Sequence, residues 1–392
     1  MILIKNGKVL TMDGHVYKNG SVLIKDGKIA GVGGDAIMPE SGWTVIDATG
    51  KIVTPGLIDA HTHLGISENS IRWEGNDTNE VTDPVTPHLR ALDAINPMCE
   101  SLMEAVIGGV TSVVTSPGSA NVIGGQTVAM KTGGSNRIDD LVIKSPHSIK
   151  CALGENPKGA YGQAKKVAPS TRMATAAIFR ETLIKAKEYL DKKDRAGATE
   201  DEKDKKEPDY NMKYEALIPV LRREIPVHFH AHRADDIHTA IRLTKEFNIR
   251  CVLIHSTDAH LILDDIKESG YATIIGPTLT NKSKPEVKNK TFETAGIVQR
   301  AGILTCITTD HPVTPLQHLN VCAALCVQAG MDEDEALKAI TIYAARVMHL
   351  DDRIGSIAPG KDADIVIWDA HPLLTTAHAE TVIIDGKVLY NR

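Results

Sequence analysis

The chain has 392 residues, of which 42% are hydrophobic and 24% are charged, and its formal net charge is −6. This composition is that of an ordinary globular protein with room for one large and one smaller domain. The acidic balance argues against a nucleic-acid partner, and no apolar run is long enough to predict a membrane span. The N-terminal stretch turns polar after four residues, so we expect no signal peptide, and six cysteines without a C-x-x-C spacing favour a cytoplasmic location.

The two ends of the chain carry similar β-type patterns. The first fifty residues are short alternating runs separated by Asn-Gly and Asp-Gly dipeptides, which are strong hairpin signals. The last forty residues return to that pattern in "GSIAPGKDADIVIWDA" and "ETVIIDGKVLYNR". We therefore predict one small β-rich domain that is built from residues 1–52 and 353–392.

The middle of the chain, residues 53–352, alternates apolar strands with helical stretches. "SLMEAVIGGVTSVVTSPG" and "FETAGIVQRAGILTCITTDHP" are examples of this alternation. It favours parallel βα units, and their number suits a TIM barrel of roughly 250 residues with insertions. Seven of the eight strands can be assigned, and the remaining strand lies somewhere within residues 120–215.

The stretch "TPGLIDAHTHLGI", residues 54–66, ends an apolar strand with two histidines. His61 and His63 are two positions apart, so their side chains point to the same face of the strand. Two neutral imidazoles on one face can bind a divalent metal. An isolated His-x-His is more often a pair of polar residues leaving a strand for solvent, so the rest of the chain must decide.

Ligand-type side chains follow further apolar runs along the chain. They are Glu155 after "SIKCALG", the alternating His228, His230 and His232 of "VHFHAH", His255 after "CVLI", and Asp310 after "CITT". In a parallel barrel the carboxyl ends of all strands open on the same face, where catalytic groups collect. We therefore predict that side chains from these strand ends converge with His61 and His63 on one metal centre.

In this order, the motifs resemble those of the amidohydrolase superfamily of metal-dependent hydrolases, on the side of its imidazolonepropionase-like and prolidase-like members. "GLIDAHTHLG" is similar to the His-x-His signature after the first barrel strand, "VHFHAHRA" and "LIHS" to the fifth-strand and sixth-strand histidines, and "TTDHP" to the eighth-strand aspartate. The resemblance covers nearly the whole chain. It implies an α/β fold, namely a distorted TIM (β/α)8 barrel with a small β-sandwich domain built from both termini, and one or two divalent metal ions, usually Zn2+.

Two details of the metal site depend on that resemblance. Many members bridge two metals with a carboxylated lysine on the fourth strand. Lys150 and Glu155 are the candidates for this bridging position in the present sequence. We favour Glu155 because it stands at the carboxyl end of the strand, whereas Lys150 is near its start. Alternate residues of a strand are ~6.6 Å apart, so the three histidines of "VHFHAH" cannot all bind one metal. The resemblance favours His230 as the ligand, with His232 near the substrate and His228 deeper in the barrel.

The predicted function is hydrolysis of a C–N bond (amide, cyclic amide or peptide-like) in a small molecule. A metal in the predicted site polarises a carbonyl and lowers the pKa of bound water to roughly 7. Asp310 is the expected general base, and His255 is either a ligand or a carbonyl polariser. The same kind of centre serves deaminases and phosphotriesterase-type hydrolases, so those activities are the alternative, and a non-catalytic scaffold is the second alternative.

Further residues are candidates for binding a small-molecule substrate that bears a carboxylate. Arg172 and Arg233, with His232 beside them, are predicted to bind this carboxylate because a guanidinium matches it with two parallel hydrogen bonds. The alternative is that both arginines pair with nearby acids, namely Asp235, Asp236 or Glu181. Tyr161 and His311 are additional candidates for the pocket wall, and a homo-oligomer is compatible with the sequence.

Overall fold

The computed structural model describes residues 1–34, 38–69, 72–198 and 207–392. The strands, in chain order, are β1 (Ile2–Leu10), β2 (Val16–Lys25), β3 (Lys28–Gly33), β4 (Thr44–Asp47), β5 (Ile52–Pro55), β6 (Leu57–Thr62), β7 (Val110–Thr115), β8 (Ile123–Gln126), β9 (Val128–Lys131), β10 (Val142–Lys144), β11 (Ile149–Ala152), β12 (Val227–Ala231), β13 (Cys251–His255), β14 (Ala272–Ile275), β15 (Thr305–Ile307), β16 (Ile365–Trp368), β17 (Ala379–Ile384) and β18 (Lys387–Asn391).

The α-helices lie mostly between the strands of the middle segment. They are α1 (Glu100–Ile107), α2 (Ile138–Leu141), α3 (Glu155–Pro157), α4 (Arg172–Ala198), α5 (Met212–Glu215), α6 (Ile218–Leu221), α7 (Ala234–Glu246), α8 (Leu263–Ser269), α9 (Glu293–Arg300), α10 (Leu319–Gln328), α11 (Glu333–Ala339) and α12 (Ile342–Val347). Within the described ranges, none of these helices combines the length and the apolar character that crossing a membrane requires.

One eight-stranded sheet contains strands from both ends of the chain. Its order is β18-β17-β16-β5-β1-β2-β3, with β4 paired to β1. The junction between the two ends is the antiparallel pair β16 and β5, in which Ile365 lies opposite Pro55. Strand β5 crosses the predicted boundary between residues 52 and 53, and the division of the chain into two domains stays a prediction.

A buried lysine ties this sheet to the middle segment. Lys131, at the end of β9, has its Nζ 3.1 Å from a carboxylate oxygen of Asp362, 2.5 Å from Asp364 and 3.2 Å from Asp385. Lys131 and Asp364 are nearly excluded from solvent. Because an unpaired buried charge is very costly, these groups hold β9 against the C-terminal strands.

The middle segment contributes two further sheets, with orders β10-β9-β7-β6 and β15-β14-β13-β12-β11-β8. Strands β11 to β15 are parallel to one another, so their carboxyl ends share one edge. Strands β8 and β9, which lie in the segment where one strand remained unassigned, run antiparallel to β11 and β7. The strand pairings of the described residues do not join the two sheets into a closed barrel, so the structure itself shows a mixed α/β fold.

Helices cover the parallel sheet in the way their sequence patterns indicate. Helix α7 begins with acidic residues in its first turn, which favour a helix N-terminus, and buries Ile237, Ala240 and Ile241 at helical spacing. It packs against β12 and β13. These two strands are buried at every position. Apart from the histidines, their sequences are therefore nearly continuous apolar runs.

Candidate metal centre

Five of the predicted ligands lie together at the carboxyl ends of strands. His61 belongs to β6 and His63 follows it, His230 belongs to β12, His255 is the last residue of β13, and Asp310 comes three residues after β15. These positions belong to strands of both middle sheets. The two sheets therefore supply one cluster between them.

The distances within this cluster are those of a ligand set. Asp310 Oδ1 lies 3.2 Å from His61 Nε2 and 3.4 Å from His63 Nε2. Ligand-type atoms of His61, His255 and Asp310 lie within 4.8 Å of one another, and so do those of His230, His232 and His255. An ion at ~2.1 Å from tetrahedral ligands keeps those ligands roughly 3.4 Å apart, which the Asp310 distances match. Since the two groups share His255, the arrangement suits one ion or two neighbouring ions.

Hydrogen bonds at Nδ1 orient three of the imidazoles. His63 Nδ1 lies 2.6 Å from the Ser116 carbonyl oxygen, and His255 Nδ1 lies 2.7 Å from the Gly276 carbonyl oxygen. His232 Nδ1 lies 2.8 Å from Thr257 Oγ1. With Nδ1 carrying the proton toward these oxygens, Nε2 presents its lone pair to the cluster.

Burial keeps these imidazoles neutral. It lowers the pKa of His255 to about 4 and holds the pKa values of His61 and His230 well below the usual histidine value. Burial alone would raise the pKa of Asp310, but the neighbouring histidines outweigh it and hold the pKa of that carboxyl well below its usual range. In the described part of the chain, His61 Nδ1, His230 Nδ1 and Asp310 Oδ1 are buried without a hydrogen-bond partner. Neutral imidazoles and an ionised carboxylate with unused polar atoms fit a divalent cation.

Asp59, which precedes the two histidines of β6, fixes the backbone on both sides of the cluster. Its Oδ1 accepts the N–H of His61 at 3.1 Å, and its Oδ2 accepts the N–H and the hydroxyl of Thr309 at 2.8 and 2.7 Å. The carboxyl is completely buried, and burial raises its pKa to about 6. Asp59 therefore connects the strand of His61 to the turn of Asp310.

The backbone at the cluster is strained. His255, Ser256 and Asp310 have φ values of 69°, 42° and 51°, in the left-handed region that residues other than glycine rarely occupy. Each such residue costs about 1–3 kcal/mol, and such strain is concentrated at functional sites. The strain thus marks the same two turns that carry the candidate ligands.

Lys150 reaches the cluster, whereas the predicted ligand Glu155 belongs to neither ligand group of the described residues. Lys150 lies opposite His228 in the pairing of β11 with β12, and its Nζ is 3.0 Å from His61 Nε2. The side chain is almost completely buried, and burial lowers its pKa to about 7. Glu155 follows the turn at Gly154 (φ 81°) and belongs to neither ligand group of the described residues. A lysine near the start of a strand is long enough to extend along it to the carboxyl edge, so position in the strand alone does not exclude Lys150, and the choice between Lys150 and Glu155 stays a prediction.

The loop after β14 brings the buried carboxylate of Glu286 to the cluster. The sequence analysis did not identify this residue. Glu286 Oε1 lies 3.9 Å from His230 Nε2 and 3.8 Å from His232 Nε2, and it is 2.5 Å from Lys284 Nζ. Lys284 also donates a hydrogen bond to Asn156 Oδ1 at 2.9 Å. The polar segment "TNKSKPEVKNK" begins at Thr280, after the strand β14 has ended at Ile275. Glu286 therefore lies too far along the loop for the rule used for the histidines, which considers only residues directly after an apolar run.

The two arginines predicted to bind a carboxylate are paired with acidic side chains, and their substrate role stays a prediction. Arg172 Nε donates to both carboxylate oxygens of Asp236, at 2.9 and 3.1 Å, and Arg233 pairs with Asp235 through two hydrogen bonds of 2.9 and 2.8 Å. Asp236 is buried, so it requires a cation, which Arg172 supplies. Neither arginine lines the cavity beside the cluster. The alternative pairing with acids is the one the structure shows.

Tyr161 and His311 also lie outside that cavity. The buried Tyr161 hydroxyl donates to the Asp83 carbonyl oxygen at 2.8 Å and accepts from Asn121 Nδ2 at 3.1 Å. His311 Nδ1 accepts the N–H of Leu316 at 3.2 Å. Both side chains thus form hydrogen bonds with loop residues, and their predicted part in the substrate pocket stays a prediction.

His228 lies deeper than His230, with its ring centroid 5.3 Å from that of His147. Burial is the largest cause that holds its pKa well below the usual histidine value. The roles predicted for the three alternating histidines, with His230 as the ligand and His228 deepest, stay predictions.

A polar cavity of about 350 Å³ opens beside the cluster. Lys150, His63, His230, His232, His255 and Asp310 line its inner end. Its remaining wall is rich in amides and contains two further cations, namely Asn76, Asn79, Asn156, Asn281, Lys284 and Lys290. The volume suits a small-molecule ligand.

Comparisons with known proteins agree with this geometry. The amidohydrolase family matches residues 52–389. The amidohydrolase tasK of Hapsidospora irregularis is 30% identical over 366 residues, which cover 88% of this chain and 37% of tasK, so the chain spans little more than a third of that relative. The imidazolonepropionase of Geobacillus sp. (strain WCH70) is 25% identical over 421 residues, covering 96% of this chain and 91% of the relative.

Solved structures show the same similarity. An amidohydrolase from Thermotoga maritima MSB8 is 41% identical with a TM-score of 0.95, and the match covers 100% of both chains. A prolidase complexed with N-methylphosphonate-L-proline has a TM-score of 0.62 at 18% identity over 100% of both chains, which supports the fold alone. Because the family match extends over most of the chain, the predicted resemblance is confirmed, and this protein belongs to the amidohydrolase family of hydrolases that act on carbon–nitrogen bonds.

Proposed function

We propose that this protein hydrolyses the C–N bond of an amide, a cyclic amide or a peptide-like small molecule at a centre of one or two divalent ions, with Zn2+ as the ion. The observation that carries the proposal is the ligand group of His61, His255 and Asp310, whose donor atoms lie within 4.8 Å of one another. This group faces a polar cavity of small-molecule size. Histidine nitrogens with a carboxylate are a donor set that zinc favours.

The residues that would hold the ions are His61, His63, His230, His255 and Asp310. We add Lys150 in carboxylated form, because a carbamate would turn its buried Nζ, 3.0 Å from His61 Nε2, into an additional carboxylate-type ligand. A divalent cation in such a site supplies Lewis-acid polarisation of the scissile carbonyl and lowers the pKa of bound water to about 7. Members of this family are typically dependent on divalent metals, which agrees with this ligand set.

Asp310 is the proposed general base. It accepts a proton from the attacking water as the C–O bond forms, and it returns that proton to the leaving nitrogen as the C–N bond breaks. Its contacts with His61 and His63 hold the carboxylate at the centre, and Asp59 holds the turn that carries it. His255 and His232 keep their Nε2 atoms toward the cluster, which suits the alternative role of orienting the substrate carbonyl.

The substrate is proposed to be small, polar and anionic at one end. Lys284 and Lys290 are the cations of the outer cavity wall, which neither Arg172 nor Arg233 lines. We propose that these lysines attract a carboxylate, with Lys284 doing so in addition to its pairing with Glu286. The surrounding asparagines offer amide donors and acceptors for the rest of the molecule. The relatedness to an imidazolonepropionase supports this class of substrate.

We also infer that the two middle sheets are parts of one distorted (β/α)8 barrel of residues 53–352. The hydrogen bond from the His63 N–H to the His311 carbonyl oxygen, at 2.8 Å, brings the end of β6 next to the turn after β15. Residues 1–52 and 353–392 would then form the accompanying β-rich domain, since both segments belong to one sheet.

Metal analysis of the purified protein, followed by a hydrolysis screen, tests the function. We expect one or two equivalents of a divalent metal and activity on some N-acyl amino acids, dipeptides or cyclic amides. His61→Asn should lose metal and at least ~10²-fold in turnover, whereas the exposed His378→Asn should keep both. Absence of stoichiometric metal would favour the scaffold alternative, and activity confined to aminated rings or phosphotriesters would favour the deaminase or phosphotriesterase alternative.

Lys150→Ala tests the carbamate separately. We expect this variant to lose metal and activity and to recover part of both when a short carboxylic acid such as propionate is added, because the acid can enter the vacated space and supply the missing carboxylate. Full activity of Lys150→Ala without added acid would contradict the carbamate while leaving the hydrolase proposal intact.

A further inference from the structure

A second cavity, of about 690 Å³, opens at the opposite edge of the parallel sheet from the metal centre. Its wall includes Pro226, Arg250, Tyr271 and Leu304, each of which is the residue immediately before a strand, namely β12, β13, β14 and β15. The candidate metal ligands stand at the other ends of these strands. The whole length of the sheet therefore separates this cavity from the proposed reaction.

Cationic side chains dominate this cavity, which we call the cationic cavity. They are Arg223, Lys245, Arg250, Lys267 and Arg346, with His349 beside them, and no described residue of the wall is acidic. Lys245 pairs with Glu268 at 3.3 Å. Arg223 contacts Asn248, Arg250 contacts carbonyl oxygens and His349, and Arg346 lies over the ring of Tyr343. In a chain with a net charge of −6, this is a local excess of positive charge.

Helix ends account for part of this excess but not for all of it. Helices α7, α8, α9 and α12 end near the cavity, and each C-terminus carries roughly half a negative charge. Four such ends balance about two cations, and Lys245, Lys267 and Arg346 stand in last turns where that is their ordinary role. Arg250 lies before a strand, and Arg223 follows the four-residue helix α6. Arg250 therefore has no helix end of its own to offset, whereas Arg223 stands just past the C-cap residue of the short helix α6.

The cavity is also built to hold these groups in place. Arg250 Nη1 donates to the carbonyl oxygens of Arg223 and Glu224, both at 3.3 Å, and its other nitrogen contacts the His349 ring. The floor is apolar and buried, and it consists of Ile249, Val252, Ile266, Ile303 and Val347. Tyr271 adds a half-buried aromatic face. A fixed guanidinium above an apolar floor suits an organic anion rather than a bare counterion.

We propose that the cationic cavity binds a small organic molecule that carries two or more negatively charged oxyanion groups. Arg250 and Arg223 bind one group, Lys267 and Arg346 bind another, and the organic body lies on the apolar floor. The shared chemistry is that of phosphate esters and polycarboxylates, which arginine and lysine both bind through charge-assisted hydrogen bonds. This site is independent of the proposed hydrolysis, because none of these residues contacts the metal cluster.

Calorimetric titration of the metal-loaded protein tests this site, with fructose 1,6-bisphosphate as the phosphate-ester probe and tricarballylate as the carboxylate probe. We expect saturable binding of at least one probe that weakens as sodium chloride is raised. The double variant Lys267→Gln/Arg346→Gln should bind at least tenfold more weakly, because it removes two charge-assisted contacts. The probe that binds more tightly identifies the preferred oxyanion.

Lys187→Gln/Lys192→Gln is the matched control, because both lysines are exposed on α4 and their removal changes the net charge by the same amount. It should bind like the wild type, and hydrolytic activity should be unchanged in both double variants. Equal weakening in the two double variants would show that only the overall charge matters, and it would overturn the site. No binding of either probe at millimolar concentration would also overturn it and leave the cations as partners of helix ends.

Discussion

Replacement of Asp59 by Asn tests whether this carboxylate holds the two sides of the metal centre together. The carboxylate is completely buried and accepts three hydrogen bonds, one from the N–H of His61 and two from Thr309. An asparagine can still accept from His61, but its NH₂ group then faces the N–H of Thr309, so a buried donor loses its acceptor. Leaving such a donor unpaired costs about 1–3 kcal/mol, and we expect the free energy of unfolding to fall by that amount.

The same change should weaken metal binding by ~10-fold or more. This is the usual effect of removing a residue that orients a metal ligand through hydrogen bonds. Urea denaturation at a pH above 7 measures the first quantity, and competition with a chelator measures the second. Asp47→Asn is the matched control, because the exposed Asp47 also accepts three hydrogen bonds, from Asn6 and Thr49. It should change stability by less than about 0.5 kcal/mol. Wild-type metal affinity in Asp59→Asn would refute the reasoning, as would equal losses of stability in both variants.

Three further predictions concern the proposed general base, the cations that attract the substrate, and the buried ion pairs of Lys131. Asp310→Asn should lower turnover by ~10² or more while metal content falls less; near-normal turnover would show that the base lies elsewhere. Lys284→Met should raise KM for carboxylate-bearing substrates by about tenfold, whereas Arg172→Met should lower the thermal midpoint without that change in KM; the reverse pattern in steady-state kinetics would restore the arginine as the substrate cation. Lys131→Met should cost about 3 kcal/mol or more at neutral pH. Part of that loss should be recovered toward pH 5, because burial already raises the pKa of Asp364 and its carboxyl then takes up a proton more readily when folded; urea midpoints that show no recovery would contradict this.

The family and the strand-end ligands were predictable because their signals are local. His61, His255 and Asp310 each follow an apolar run directly, so the sequence distance from strand to ligand is almost zero. The topology of a parallel sheet, rather than any single residue, brings the carboxyl ends of its strands together. Lys284 and Glu286 lie well beyond the end of β14 at Ile275, so this local reasoning does not reach them.

The details that the sequence did not reveal have three different causes. Arg172 pairs with Asp236, 64 residues away, and only the packing of α4 near α7 brings them together. Lys150 was rejected for its position in the strand, although the length of its side chain determines where its Nζ lies. The antiparallel strands β8 and β9 are four residues each, too short for periodicity to distinguish them from a loop.

The pairing of β5 with β16 has a consequence for the order in which the newly made chain acquires its structure. Gly56 is the only residue between β5 and β6, the strand that carries His61, and β5 is enclosed in its sheet only when Ile365 lies opposite Pro55, roughly 310 residues later. At a synthesis rate of about 5–20 residues per second, this neighbour reaches β5 roughly 15–60 s after β5 itself has been made. The strand that carries the candidate ligand His61, and that directly precedes His63, is therefore joined to a sheet whose β16 neighbour is synthesised much later, so the surroundings of the candidate metal centre are completed long after its first histidines have been made.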